Sequence, residues 1–175
     1  FFFQINYFPY FQIAFNQVLM RKVFLVLLTC IAVQGFAQDP TKIDSMESAL
    51  PNATGQEKVE LLNELCVFYV PRDPEKSLHY AKQGLALTTT LGDDESRAVF
   101  LSRTGILYRR AAEYDSAQHY YNASLNLAIA LQDCTLITEL HNNLGYLFKV
   151  TGEIDSAIGY YNKAIELNVK FGNES

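Results

Sequence analysis

The stretch Glu113 to Asp133, EYDSAQHYYNASLNLAIALQD, decides the fold, because Glu153 to Asn173, EIDSAIGYYNKAIELNVKFGN, repeats it. Eight of the 21 aligned positions are identical without a gap, at an offset of 40 residues. A further step of 40 towards the N-terminus reaches Asp73 to Asp93, DPEKSLHYAKQGLALTTTLGD, with Leu78, Tyr80, Leu85, Leu87 and Leu91 in register. Self-similarity at such a period marks stacked supersecondary units, none of which buries its apolar face alone.

Each copy carries apolar residues at three- and four-residue steps, and each follows a second segment with the same helical pattern: Lys58–Val70, Ala98–Arg110 and Ile137–Val150. The unit is therefore a helical hairpin. Its turn reads Pro71-Arg72-Asp73-Pro74, then Ala111-Ala112-Glu113, then Thr151-Gly152-Glu153. Proline and glycine end one helix, and the acidic residue suits the positive end of the next. A short helix over Thr41–Leu50, stopped by Pro51-Asn52, is expected to cover the exposed face of the first hairpin. The resulting layout is an unassigned stretch at 1–19, either upstream sequence read in frame or an extended hydrophobic leader, then a signal peptide at 20–37, a capping helix at 38–55, and repeats at 56–94, 95–134 and 135–175.

Over Thr41 to Asn173 this pattern resembles the tetratricopeptide repeat (TPR) family. In the third copy Leu144-Gly145, Phe148, Gly152, Ala157, Tyr161 and Ala164 stand at the family's small and aromatic positions. The second copy has Thr104-Gly105, Tyr108, Ala112, Ala117, Tyr121 and Ser124 there. The first is degenerate: Cys66 replaces the glycine, the turn is one residue shorter, and Ser77, Ala81 and Gly84 fill the second-helix sites. The resemblance implies an all-α fold, a right-handed α-solenoid of antiparallel helix pairs. The period of 40, longer than the common 34, resembles an exported subclass found in the N-terminal part of bacterial sensor proteins. Gly105, Gly145, Ala117 and Ala157 are expected to let paired helices approach, with Tyr108, Phe148, Tyr121 and Tyr161 filling the gaps.

The family also lines a concave partner surface with the first helix of every hairpin. Carried over, that lining is Asn63 and Val67, then Ser102, Ile106, Arg109 and Arg110, then Asn142, Tyr146 and Lys149. Arg109, Arg110 and Lys149 form a basic spot suited to a carboxylate or acidic peptide, although cations at helix ends are favoured in any case. Of the adjacent pairs Tyr120-Tyr121 and Tyr160-Tyr161, one member of each should pack in the core and the other cover surface, since neighbours on a helix point about 100° apart.

The N-terminal segment is set apart by its chemistry. From Met20 the chain reads Met-Arg-Lys, an apolar run Val23–Val33, then Gly35-Phe36-Ala37: the n-region, h-region and small-residue cleavage site of a signal peptide. The run falls short of the roughly 20 residues a spanning helix needs. Residues 1–19 carry no charge and no methionine. No acidic residue precedes Asp39, so setting aside Arg21 and Lys22 leaves 12 of the 14 basic residues against all 19 acidic ones, net −7. Such a surface repels nucleic acid and anionic lipid.

No catalytic constellation is present: G-x-S-x-G, H-E-x-x-H, a phosphate-cradling glycine loop and paired-cysteine motifs are all absent from the sequence. His79 and His119 lie one repeat apart, too far to share a metal, and His141 lacks ligand spacing. Cys30 falls in the signal segment, while Cys66 and Cys134 permit a disulfide without demanding one. Neither metal nor cofactor is expected. The chain reads as a non-enzymatic scaffold for a protein or peptide, exported and either periplasmic or otherwise extracytoplasmic, with tethering by a membrane helix further along left open. Two roles fit it: the extracytoplasmic input part of a larger signalling protein (a histidine kinase or transcription regulator), or a free periplasmic assembly scaffold. After signal cleavage no membrane insertion is expected. The bare last apolar face also suits self-association.

Overall fold

The computed structural model describes residues 40–172. The expected leader at 1–19, the expected signal peptide at 20–37 and Cys30 lie outside the described residues. The chain divides into two compact units, residues 1–45 and 46–175, and the hairpins all lie in the second. Seven helices are described, with no strand among the described residues: α1 Pro40–Ala49, α2 Gly55–Tyr69, α3 Pro74–Leu91, α4 Asp94–Arg110, α5 Tyr114–Leu131, α6 Cys134–Thr151 and α7 Ile154–Gly172. The fold of the second unit is an all-α solenoid of three hairpins, α2/α3, α4/α5 and α6/α7.

Three of the helix starts are set by aspartates. Asp73, Asp93 and Asp133 cap α3, α4 and α6, each carboxylate accepting a backbone N–H three residues on, at 2.9, 3.0 and 3.0 Å. Helix ends use the left-handed conformation: Gly92 and Gly152 adopt it with φ of 69° and 87°, but at the equivalent points of the second repeat Ala112 (61°) and Gln132 (57°) are held there despite their side chains.

Consecutive helices pack against each other along the whole series from α2 to α7, and the first helices also touch across repeats, α2 with α4 and α4 with α6. The second helices α3, α5 and α7 make no such contact. The first helices therefore line the inner, tighter side of the stack.

Small residues set these contacts. A Cβ placed on Gly105 would stand 2.6 Å from the Tyr121 ring, and one on Gly145 would stand 2.9 Å from the Tyr161 ring, so each tyrosine lies flat on the backbone of its partner helix. Ala117 and Ala157 are buried in the same seams, Ala164 is buried on α7, and Ser124 donates to the Ala98 carbonyl at 2.7 Å. Between repeats, Phe100 of α4 occupies the space a side chain on Gly84 of α3 would need.

The adjacent tyrosines behave differently from the core-plus-surface expectation. Tyr121 is in the core, but Tyr120 is not a surface cover: it stacks on Tyr108, ring centroids 5.3 Å apart and 8° from parallel. Tyr160 does the same on Phe148, at 5.3 Å and 12°. In the first hairpin Tyr80 faces Tyr69 at 5.8 Å. Antiparallel helices bring the rings of the second and third hairpins face to face, and an offset stack buries more apolar area than solvent exposure does.

The last turn of α1 is tied to the first hairpin by Glu47. Its carboxylate accepts from the hydroxyls of Tyr69 (2.7 Å) and Tyr80 (3.0 Å) and pairs with Lys76 at 2.6 Å. The Lys76 hydrogen bond holds the carboxyl below its usual range against the opposing effect of burial, and Lys76 is raised in turn. Burial, with Glu47 beside it, pushes the Tyr80 phenol up to about 12.

Candidate functional site

The inner side of the stack carries the residues read from the sequence as a partner groove, but it does not present all of them. Val67, Arg110, Asn142, Tyr146 and Lys149 are exposed there. Asn63 is half-buried and already engaged, its Oδ1 accepting from the Nε of Arg103 across the α2–α4 junction at 2.7 Å. Ile106 is half-buried against the core. Ser102 is only 2% exposed, with its hydroxyl oxygen shut off from solvent.

The basic spot is likewise smaller than the sequence suggests. Arg109 donates from Nε to the Tyr121 hydroxyl at 3.2 Å, and its guanidinium lies 4.5 Å from the centre of the Tyr146 ring. It is a tie between repeats, since Tyr121 belongs to α5 and Tyr146 to α6. Burial pushes the Tyr121 phenol up, and Arg109 offsets part of that rise. Only Arg110 and Lys149 of the three remain exposed cations.

Between α4 and the start of α6 the inner face opens into a crevice of about 260 Å³, with Val99, Ser102 and Arg103 on one wall and Asp133, Leu136 and Glu139 on the other. A second hollow of about 380 Å³, between α6 and the end of α7, is walled by Thr138, Asn142, Leu167 and Phe171. Sequence reasoning found Ser102 and Asn142 but missed Arg103, Glu139 and Asn143. The one available signal was the pair Arg103 and Asn143, polar residues at equivalent positions one repeat apart.

The remaining chemistry-bearing side chains are held in structural roles. His141 is buried with Nδ1 at 2.7 Å from the Ile137 carbonyl, while His79 meets Gln83 on the surface. Among the described residues no group of three or more His, Cys, Asp or Glu is placed to hold a metal ion. Cys66 and Cys134 are both free thiols; Cys66 is buried, 3.5 Å from Ser77 Oγ, and burial raises it. No described helix is long and apolar enough to cross a membrane.

No family model matches the chain, and neither does any curated protein. Among solved structures, BtubC (BKLC) from P. vanneervenii is similar with a TM-score of 0.66 and 16% identity, over 71% of this chain and 54% of BtubC. The chain thus spans about half the length of that protein. MamA matches at 17% identity over 75% of this chain and 89% of its own, but its TM-score of 0.36 is too low to bear on the fold. At these identities the BtubC likeness speaks for the fold alone, and with the 40-residue register it describes a TPR-like helical repeat.

Proposed function

We propose that this chain is a protein-interaction scaffold, holding a protein or peptide partner on the inner face formed by α2, α4 and α6. The observation that carries the reading is the contrast between the two sides of those helices. Their outer and lateral faces are consumed by packing, whereas Val67, Arg110, Asn142, Tyr146 and Lys149 are spent on nothing structural except the Arg109–Tyr146 contact, and two hollows open beside them. An aromatic ring and cations around shallow crevices are the composition of a partner surface.

Within that reading, the signal-like segment at 20–37 supports an exported protein, and we place the scaffold as the extracytoplasmic input part of a larger signalling protein. The second reading, a free periplasmic assembly scaffold, rests on the same segment. The coding sequence after Ser175 separates them: a spanning helix with an output domain supports the first, a stop codon the second. The scaffold itself is tested by affinity capture from the native cell with the chain as bait. Tyr146→Ser with Lys149→Ser should weaken the captured partner by about tenfold or more, while Lys82→Ser on α3 should leave it unchanged. Equal loss from both, or from neither, would refute the assignment of the inner face.

A further inference from the structure

α4 packs on α3 and α6 packs on α5, whereas among the described elements α7 packs only on α6. The difference shows at equivalent positions. Tyr121 and Ala128 of α5 are fully buried, but Tyr161 of α7 is half-buried and Asn168 is exposed. Composition runs against this exposure. On the uncovered face α7 carries Ile154, Ile158, Ile165 and Val169, each more than half exposed. The second copy has Tyr114, Gln118, Leu125 and Ile129 at these sites, the first three of them half-buried. A glutamine at a partly covered site thus becomes an isoleucine at an open one. A contiguous apolar stripe of this kind marks a surface that is covered in use.

Spacing and charge indicate what covers it. Ile154, Ile158, Tyr161 and Ile165 follow one another at steps of four, three and four, so Tyr161 repeats Ile154, and Ile165 repeats Ile158, after seven residues. That is the seam along which two helices pair side by side, knobs into holes. The charges give the direction. Glu153 and Asp155 stand at the start of α7 with no cation beside them, while the second half carries Lys163 and Lys170 against Glu166, all five exposed. Two copies of α7 running the same way would set like ends together. Running oppositely, the acidic start of each lies along the lysine-bearing half of the other, and the helix dipoles oppose.

We propose that α7 is a self-pairing surface, through which two copies of this chain pack antiparallel about a two-fold axis. With the axis at Gly159–Tyr160, Ile154 stands level with Ile165 of the partner subunit, and Ile158 with Tyr161 of the partner subunit. One self-complementary patch is enough for such a contact, and the two-fold closes the assembly at two chains. Val67, Arg110, Tyr146 and Lys149 belong to other helices, so the inner face proposed for a different protein is separate from this one.

The test is sedimentation equilibrium of the full chain over a concentration series, with circular dichroism to show that each variant keeps its helices. The wild type should reach the mass of two chains and no more. Ile158→Lys and Ile158→Glu, at an exposed site, should each weaken self-association by about tenfold or more, since each buries an unpaired charge in the seam. The two Ile158 side chains lie close to the axis, so mixing the Lys and Glu variants should restore the two-chain particle. Ile129→Lys, on an equally exposed isoleucine of α5, should leave it unchanged. A single-chain mass at every concentration, a dimer that survives both Ile158 variants, a mixture that stays dissociated, or equal loss from Ile129→Lys would overturn the proposal. So would protection of the α7 stripe only when a different protein is added, which would give that face to another partner.

Discussion

A methyl group on Gly105 would press against the ring of a fully buried Tyr121, itself held by Arg109, so neither the ring nor the backbone has room to yield. Gly159, on the open side of α7, has nothing within 4 Å of the same added atom. The two substitutions should therefore have opposite signs. Gly105→Ala is expected to destabilise by about 1–3 kcal/mol through overpacking, and Gly159→Ala to stabilise by about 0.5–1 kcal/mol through helix propensity; urea denaturation of both reads the difference. Glu47 makes the other residue-scale prediction. Its carboxyl is held below the usual range, so its contribution is fully present above the ordinary carboxylate pKa and is lost as pH falls through the lowered folded value. Between about pH 5 and pH 3 the wild-type thermal midpoint should fall more steeply than that of Glu47→Gln. The difference should be about 1 kcal/mol or less, since both partners are partly exposed and screened. Lys76, raised by the same bond, keeps its share at neutral pH and loses it only above the ordinary lysine range.

At the scale of the helix, the second repeat holds Ala112 and Gln132 in the left-handed conformation that Gly152 and Gly92 adopt at the equivalent points. A Cβ there is unfavourable by about 1–2 kcal/mol, offset in part by the entropy glycine adds to the unfolded chain. Ala112→Gly and Gln132→Gly should each raise stability, by about 0.5–1 kcal/mol, readable as a rise in thermal midpoint; a fall at either would show that the turn is held by something other than its backbone. The helices and turns were legible in the sequence because the 40-residue register repeats small, aromatic and acidic residues together, and Asp93 and Asp133 cap their helices in the same way. What was not legible is how neighbours share a face. Tyr120 and Tyr160 were read one helix at a time, where an outer tyrosine points to water; only the antiparallel partner brings Tyr108 or Phe148 under it. Ser102 was read as open lining for the same reason, since a one-helix projection does not show how far the neighbouring helices bury a short side chain.

Over the array as a whole, the first helices meet across repeats and the second helices do not, and that asymmetry gives the molecule an inner face with hollows. The face proposed for the partner was half visible beforehand. Tyr146, Arg110 and Lys149 stood out as unspent side chains, whereas Arg109 looked equally free until its contacts with Tyr121 and Tyr146 were seen. At the far end Ile154, Ile158, Ile165 and Val169 form an uncovered stripe, 52–60% exposed, on the side of α7 away from α6. This is a second apolar surface, of a different character from the polar inner face. The two compete as explanations of any partner that is captured. Amide hydrogen exchange on the full chain with its captured partner separates them most directly. Binding through the inner face predicts slowed exchange in α4 and α6 around Arg110, Asn142 and Tyr146, with α3 and α5 unchanged. Protection confined to α7, or spread over the second helices, would contradict it.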